Sequence, residues 1–167
     1  VEEIARVASL ANLKGIPLPK KDAGISKPVL NTSQKREQIA RRSIAALGYN
    51  ECVSYSFIDV RSAQLFGGGT EATQLQNPIS TDMSHMRPDL LPCLTKRSFK
   101  NQARGFSDIA LFEAGPVFGG GEPSDQDFQI SGLLVGQTTR KNVHSKTRNI
   151  DIFDVKADVE ATLAALG

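Results

Sequence analysis

The chain has 167 residues, of which 40% are hydrophobic and 23% are charged, as in ordinary globular proteins. Its net charge of +2, from 20 basic and 18 acidic residues, gives no whole-chain indication of nucleic-acid binding. Two isolated cysteines, Cys52 and Cys93, exclude a disulfide framework and lack metal-ligand spacing. The absence of a long apolar run predicts no membrane span, and we expect a cytoplasmic protein with reduced thiols.

The first thirty residues indicate a domain boundary. Apolar residues at helical spacing over 2–11 predict the end of a helix. A linker is predicted next from its helix-breaking residues, which are Pro17, Pro19, Gly24 and Pro28. We therefore place residues 1–27 outside the main domain and assign residues 28–167 to it. The chain opens without Met, inside an amphipathic pattern, so we expect it to be part of a longer polypeptide.

The segment NTSQKREQIARRSIAALG predicts a helix that Thr32 or Ser33 caps and Gly48 ends. Its apolar stripe consists of Ile39, Ala40, Ile44 and Leu47. The opposite face is basic and carries Lys35, Arg36, Arg41 and Arg42. A solvated or partner-facing surface is the default interpretation of such a cluster, and RNA contact is the less favoured alternative.

The remaining elements mix strands and helices without strict alternation. A helix is predicted from Leu90 to Ala103, with Asp89 as its cap and Pro92 in its first turn. The strand DIALFEAGPVF is expected to be interrupted at Gly115 and Pro116. The other predictions are strands over 51–59, 73–76 and 128–136, a short helix over 61–66, and a strand followed by a helix over 148–167. This order predicts an α+β fold with a mostly antiparallel sheet flanked by helices.

Generic catalytic signatures are absent from the sequence. It contains no P-loop, no G-x-S-x-G and no H-E-x-x-H. The glycine runs at 67–69 and 119–121 lack the trailing Lys-Ser/Thr of a phosphate loop and predict flexible turns. His85 and His144 have no evident carboxylate companion, so a catalytic base is the less favoured interpretation. We predict no catalytic residue.

A combination of three motifs identifies a family. NPIS-x-DMS-x-MR-x-x-LLP-x-L is followed by LFE-x-G-x-VF and then by D-x-K-x-D-x-E. Together they closely resemble the β subunit of bacterial phenylalanyl-tRNA synthetase, over essentially the whole chain. The resemblance implies that residues 1–27 are the end of the preceding small domain and its linker. Residues 28–167 would form a class II synthetase-like core, an antiparallel sheet flanked by helices that is truncated at its C-terminus.

The resemblance also implies that this domain is not catalytic. Catalytic class II domains hold the ATP α-phosphate with an arginine just after the strand that here reads LFEAGPVF. Glycines follow Phe118 here, and the next arginine is Arg140. ATP would be a substrate of the α subunit, which activates phenylalanine. The domain would brace that α subunit in an (αβ)2 heterotetramer that charges tRNA(Phe).

Several side chains receive structural or interface roles from this interpretation. Arg36, Arg41 and Arg42 are expected to face partner subunits, and Met83 and Met86 to pack against a partner. We expect Arg87 to hold its proline-stiffened loop by pairing with a carboxylate or carbonyls, and Asp89 to begin the next helix. A surviving small-molecule site in this loop is the less favoured alternative.

A metal site is the last implication of the resemblance. The family has a Mg²⁺ site in the preceding domain, and two of its glutamates fall on Glu2 and Glu3. The aspartates that complete it would precede Val1, so Mg²⁺ is expected in the full enzyme and no cofactor in this chain. The rival interpretations of the whole chain are a stand-alone ligand-binding or regulatory domain and an ATP-dependent ligase in its own right.

Overall fold

The computed structural model describes residues 2–17, 30–138, 143 and 146–167. The chain divides into two compact units, Val1–Leu30 and Asn31–Gly167, which are treated separately. The predicted linker residues Pro19, Gly24 and Pro28 fall outside the described residues. The described helices are α1 (Glu2–Val7), α2 (Thr32–Ala46), α3 (Val60–Leu65), α4 (Leu91–Gln102) and α5 (Ile152–Leu166). The described strands are β1 (Asn50–Glu51), β2 (Phe57–Ile58), β3 (His85–Met86), β4 (Ile109–Phe118) and β5 (Gln126–Val135).

In the first unit, α1 is shorter than its apolar spacing predicts. It ends at Val7 because Ser9 adopts a positive φ of 69°, a conformation that regular helix does not allow. A 3-10 turn, Leu10–Asn12, follows. None of the α1 residues is buried.

Helix α2 follows the prediction except at its first residue. The cap is Asn31, not Thr32 or Ser33, because Asn31 Oδ1 accepts from the Gln34 amide while Gln34 Oε1 accepts from the Asn31 amide. Gly48 ends the helix at a φ of +97°. Ala40 and Ile44 are buried, whereas Ile39 and Leu47 of the predicted stripe remain 41% and 40% exposed.

The strand predicted over 51–59 divides between two sheets. β1 pairs parallel with β4, whereas β2 pairs antiparallel with β3. The segment between them turns away from the first sheet, and the backbone amide of Arg87 donates to Ser56 O. The prediction of a strand over 73–76 is wrong. A 3-10 turn, Glu71–Thr73, is followed there by a single β-bridge between Gln74 and His85.

β4 and β5 form the centre of the domain. They pair antiparallel from Ile109 opposite Val135 to Phe118 opposite Gln126, in the sheet order β1-β4-β5. The predicted interruption at Gly115 and Pro116 is wrong. Pro116 O accepts a bond from Arg87, so the backbone groups of Pro116 face away from β5 and its missing N–H costs no ladder bond.

The core lies between α4 and this sheet. Leu94 of α4 packs with Ile109 and Leu111 of β4, and Phe112 is fully buried. α5 begins at the Asp151 cap, and only an isolated bridge from Gln137 to Asn149 stands where a strand was predicted before it. The α+β prediction is therefore confirmed, with one parallel pairing that it lacked. None of the described helices combines the length and apolar character that crossing a bilayer requires.

Candidate functional site

The candidate site lies where the segment 77–92 meets the edge of β4 that faces away from β5. A 3-10 turn, Thr81–Met83, and the short strand β3 carry the chain into this edge. Arg87, directly after β3, is 2% exposed. It is one of the largest fully buried side chains of the domain, although a guanidinium is almost never buried without partners.

The Arg87 guanidinium has three partners. Nη1 donates to Glu113 Oε1 at 2.6 Å and to Ser54 Oγ at 3.1 Å, and Nε donates to Pro116 O at 2.9 Å. Glu113 and Pro116 belong to β4 and Ser54 follows β1, so one side chain ties the segment 77–92 to two other segments of the chain. Charge-assisted bonds of this kind are about twice as strong as neutral ones.

Glu113 is the other half of this buried pair. It is 2% exposed and sits in the middle of β4. Besides Arg87, it accepts bonds from the Ser54 amide at 3.2 Å and the Ser54 hydroxyl at 2.7 Å. Both Glu113 oxygens accept bonds, and Nε and Nη1 of Arg87 donate them, which is the kind of compensation under which a buried ion pair is tolerated. Arg87, Glu113 and Ser54 are called the buried triad below.

Gly115 provides the space for this triad. A Cβ added at Gly115 would lie 2.6 Å from Arg87 Nη2, closer than carbon and nitrogen approach without a shift. The absence of a side chain lets the guanidinium lie directly against the β4 backbone.

Arg41 contacts the same edge of β4 at Ala114, two residues before Pro116. Its Nη2 donates to Ala114 O at 3.1 Å, its Nε donates to Glu37 at 3.0 Å, and it also pairs with Glu51. The sequence placed Arg41 on the exposed basic face of its helix, and this placement is wrong. The α2 helix turns Arg41 toward the sheet, where β1 has ended and Ala114 O needs a donor.

Arg36 and Arg42 are exposed, as Lys35 is. No carboxylate of the described part of the chain lies within salt-bridge distance of Arg36 or Arg42. Lys35, Arg36 and Arg42 therefore form the basic face of α2.

The two methionines of the segment are half-buried. Met83 borders a cavity of about 200 Å³ beside α4, together with Asp59, Asp82 and Cys93. The cap position of α4 falls on Leu90 and not on Asp89 as predicted, although Asp89 Oδ1 accepts from the Leu91 amide at 2.7 Å and so stabilises the start of the helix. The helix itself begins at Leu91, one residue later than predicted.

The turn between β4 and β5 contains the three glycines that follow Phe118. The amide of Gly119 donates to Asp125 O at 2.9 Å, and Glu122 and Asp125 cap one another. A Cβ at Gly120 would clash with Asp125 Oδ2, so the turn is tightly closed. Its charged side chains are carboxylates, which repel phosphate.

Glu2 and Glu3 lie in the first turn of α1. Glu3 pairs with Arg6 at 2.6 Å, and both glutamates are exposed. The described ranges contain no group of three or more His, Cys, Asp or Glu side chains placed to hold a metal ion. Two exposed carboxylates, one of them neutralised, supply too few ligands for Mg²⁺.

An apolar cavity of about 260 Å³ lies between α2, α5 and β5. Its polar lining residues are Tyr49, Asp158 and Thr162, and the Tyr49 hydroxyl donates to Asp158 Oδ2 at 2.6 Å. Burial and this bond to Asp158 raise the pKa of Tyr49 above its ordinary value. Leu163 on its wall is 61% exposed, so the cavity is open to solvent rather than a closed pocket with convergent polar groups.

Within the described residues, the one side-chain hydrogen bond of His85 is with its neighbour Ser84. It is buried, and its Nδ1 lies 3.0 Å from Ser84 Oγ. His144 lies outside the described residues.

Sequence patterns assigned no site role to Glu113, Ser54 or Gly115. One signal pointed to Glu113, since a carboxylate in the centre of an apolar strand needs a buried partner. Nothing in the sequence pointed to Ser54, which lies 59 residues before Glu113.

The sequence of the chain matches known proteins along its whole length. The family described as phenylalanyl tRNA synthetase beta chain CLM domain matches residues 16–167. The chain is 63% identical to the phenylalanine–tRNA ligase beta subunit of Ruegeria pomeroyi and 59% identical to that of Cereibacter sphaeroides. Both matches cover 100% of the chain and 21% of the relative, so the chain spans about a fifth of these proteins.

Solved structures give the fold independently. A pyrrolysyl tRNA synthetase of Desulfitobacterium hafniense superposes with a TM-score of 0.55 at 17% identity, over 80% of this chain and 46% of that one. A histidine–tRNA ligase subunit of Alicyclobacillus acidocaldarius superposes with a TM-score of 0.55 at 16% identity, and the match covers 92% of this chain and 44% of that one. These neighbours confirm the predicted class II synthetase-like fold, and the sequence matches confirm the resemblance. The chain belongs to the family of phenylalanyl-tRNA synthetase beta chain CLM domains.

Proposed function

We propose that this domain is the non-catalytic core of a phenylalanine–tRNA ligase β subunit, which braces a catalytic α subunit during ATP-dependent attachment of phenylalanine to tRNA(Phe). The observation that carries the proposal is the 63% identity to a phenylalanine–tRNA ligase beta subunit across the whole chain. The proposal includes an (αβ)2 heterotetramer, a cytoplasmic location and a requirement of the full enzyme for Mg²⁺ with ATP. Glu2 and Glu3 would contribute to that metal site only with ligands from outside this chain.

The buried triad supports a bracing role rather than a chemical one. A residue that acts on a substrate must be reachable, whereas Arg87 and Glu113 are each 2% exposed and bonded to one another. The triad fixes the segment 77–92 against β4, so the half-buried Met83 and Met86 are held in one place. We propose that these methionines pack against the partner subunit, which a rigid segment does at lower entropic cost.

We predict that the chain alone neither binds ATP tightly nor activates phenylalanine. The arginine expected after Phe118 is replaced by glycines, and the carboxylates of Glu122 and Asp125 stand in the same turn. Isothermal titration calorimetry with ATP and Mg²⁺ is the measurement, with an assembled phenylalanine–tRNA ligase as the positive control. Micromolar binding to the chain alone would instead favour a ligase active in its own right.

We also predict that the basic face of α2 contacts a partner subunit. Reversing two exposed charges, Arg36→Glu together with Arg42→Glu, should weaken assembly of the full β subunit with the α subunit. Arg41 is left unchanged because it belongs to the β4 edge, so its replacement would disturb the fold. Size-exclusion chromatography with light scattering measures the assembly.

The matched control for this pair is the double reversal Lys96→Glu with Arg97→Glu, two cations on α4 that are also exposed. We expect the control to assemble normally. Normal assembly of the α2 variant, combined with loss of tRNA binding, would show that the α2 face contacts RNA instead.

A further inference from the structure

Helix α5 lies on the domain with little burial. None of its fifteen residues is buried, although it is as long as α2, which buries Ala40 and Ile44. Three of the apolar side chains that it turns toward α2 and β5 are Val155, Val159 and Leu163, and they remain 41%, 51% and 61% exposed. Packing of an apolar face supplies most of the stability of a helix in a protein, so α5 is held less firmly by this means than α2 or α4.

Two open cavities border this helix. The apolar cavity of about 260 Å³ lies between α5, α2 and β5. A second cavity of about 500 Å³ lies beside the start of β4 and the end of β5, where Asp108, Gln137 and Ala157 contribute to its lining. Tyr49 and Asp158 line both cavities. Close packing is thus interrupted in two regions next to this residue pair, and side chains beside a void lose dispersion contacts there.

Tyr49 joins α5 to the rest of the domain. Its hydroxyl donates to Asp158 Oδ2 at 2.6 Å. Its ring lies against Gly132 of β5, where an added Cβ would come within 3.3 Å of Tyr49 Cε1. Tyr49 follows the end of α2, and its amide donates to Ile44 O. One side chain therefore connects α2, β5 and α5.

The other polar contacts of α5 are local. Arg148 pairs with Asp154 beside the start of the helix, and another salt bridge joins two residues of α5 that are one turn apart. Such pairs stabilise the helix itself and do not attach it to another element. In the part of the chain that the structure describes, the bond from Tyr49 to Asp158 is the one side-chain hydrogen bond or salt bridge between α5 and another helix or strand of the domain.

We propose that α5 opens as a unit while the rest of the domain stays folded, and that the hydrogen bond from Tyr49 to Asp158 keeps it closed. Opening joins the two cavities and exposes the face of β5 that carries Ile130 and Leu134. Local openings of this kind occur where few apolar groups are buried. The proposal does not depend on the proposed function, because it concerns contacts within this chain alone.

The test is hydrogen exchange of the full β subunit, measured by mass spectrometry on peptides from α5, α4 and β4. We expect the α5 amides of the wild type to exchange at least about tenfold faster than those of α4, which buries four of its residues. Tyr49→Phe should accelerate the exchange of α5 by about tenfold more, because a hydrogen bond to a charged group is lost. The peptides of α4 and β4 should keep their wild-type rates.

Tyr55→Phe is the matched control. Tyr55 is the other tyrosine of the chain and is 69% exposed, and its hydroxyl forms no hydrogen bond with the described residues. We expect this control to leave the exchange of α5 unchanged. Asp158→Ala should accelerate α5 as Tyr49→Phe does, and the double variant should exchange no faster than either single variant, because both substitutions remove the same bond.

Three results would overturn the proposal. Wild-type α5 peptides that are as protected as those of α4 would show that the helix does not open by itself. Equal acceleration of α5, α4 and β4 in Tyr49→Phe would show that the hydroxyl stabilises the whole domain. Additive effects of Tyr49→Phe and Asp158→Ala would show that the two residues do not act through their shared bond.

Discussion

Replacing Arg87 by alanine is expected to destabilise the domain by about 3–5 kcal/mol, because the substitution leaves Glu113 as a buried charge without a cation. Glu113 is 2% exposed and would retain only its bonds from Ser54. Arg87→Lys should recover part of the loss, since an ammonium restores the charge but not the planar fork that reaches Glu113, Ser54 and Pro116 together. Urea denaturation followed by circular dichroism measures the free energy of unfolding.

A loss of this size is a large fraction of the stability of an ordinary domain, so the alanine variant alone could fail to fold. The double variant Arg87→Met with Glu113→Leu is the control, because removing both charges of a buried pair costs far less than removing one. We expect the double variant to be more stable than Arg87→Ala. An alanine variant that unfolds within about 0.5 kcal/mol of the wild type, as surface changes do, would contradict the bracing role of Arg87.

Gly115→Ala is expected to destabilise the domain by about 1–3 kcal/mol, the usual cost of overpacking. The added Cβ would lie 2.6 Å from Arg87 Nη2, and Arg87 is held by three partners and cannot withdraw freely. The same urea denaturation measures the loss. Gly119→Ala is the matched control, since its Cβ would meet only Asp125 O at an ordinary 3.6 Å.

The two sites should also be coupled. In the background of Arg87→Met with Glu113→Leu, the guanidinium is absent and Gly115→Ala should cost less than in the wild type. Residues in contact show such non-additive free energies, whereas independent sites do not. Equal costs in both backgrounds would mean that the clash with Arg87 is not what excludes a side chain at position 115.

The sequence by itself determined the elements whose signals are local. The apolar period of α2 with its glycine stop, the proline in the first turn of α4, and the β-rich segments of β4 and β5 all lie within a few residues of the structure they specify. The motifs around Arg87 and Phe118 also identified the family and its fold, because they combine residue types in an order that few families share. Local signals did not distinguish between neighbouring residues that can each cap a helix, so the cap was predicted at Thr32 or Ser33 and lies at Asn31.

Only the tertiary structure decided which groups the charged side chains contact. Arg87 contacts Glu113, Pro116 and Ser54 across separations of 26, 29 and 33 residues, and Arg41 contacts Ala114 across 73. Helix periodicity placed Arg41 on the basic face, yet the end of β1 leaves Ala114 O without a strand partner and Arg41 supplies the donor. Pro116 does not interrupt β4 because its backbone groups face this same edge, where Arg87 donates to its carbonyl oxygen and no strand requires its N–H. Hydrogen-bond satisfaction is a property of buried groups brought together by folding, so no pattern along the chain specifies it.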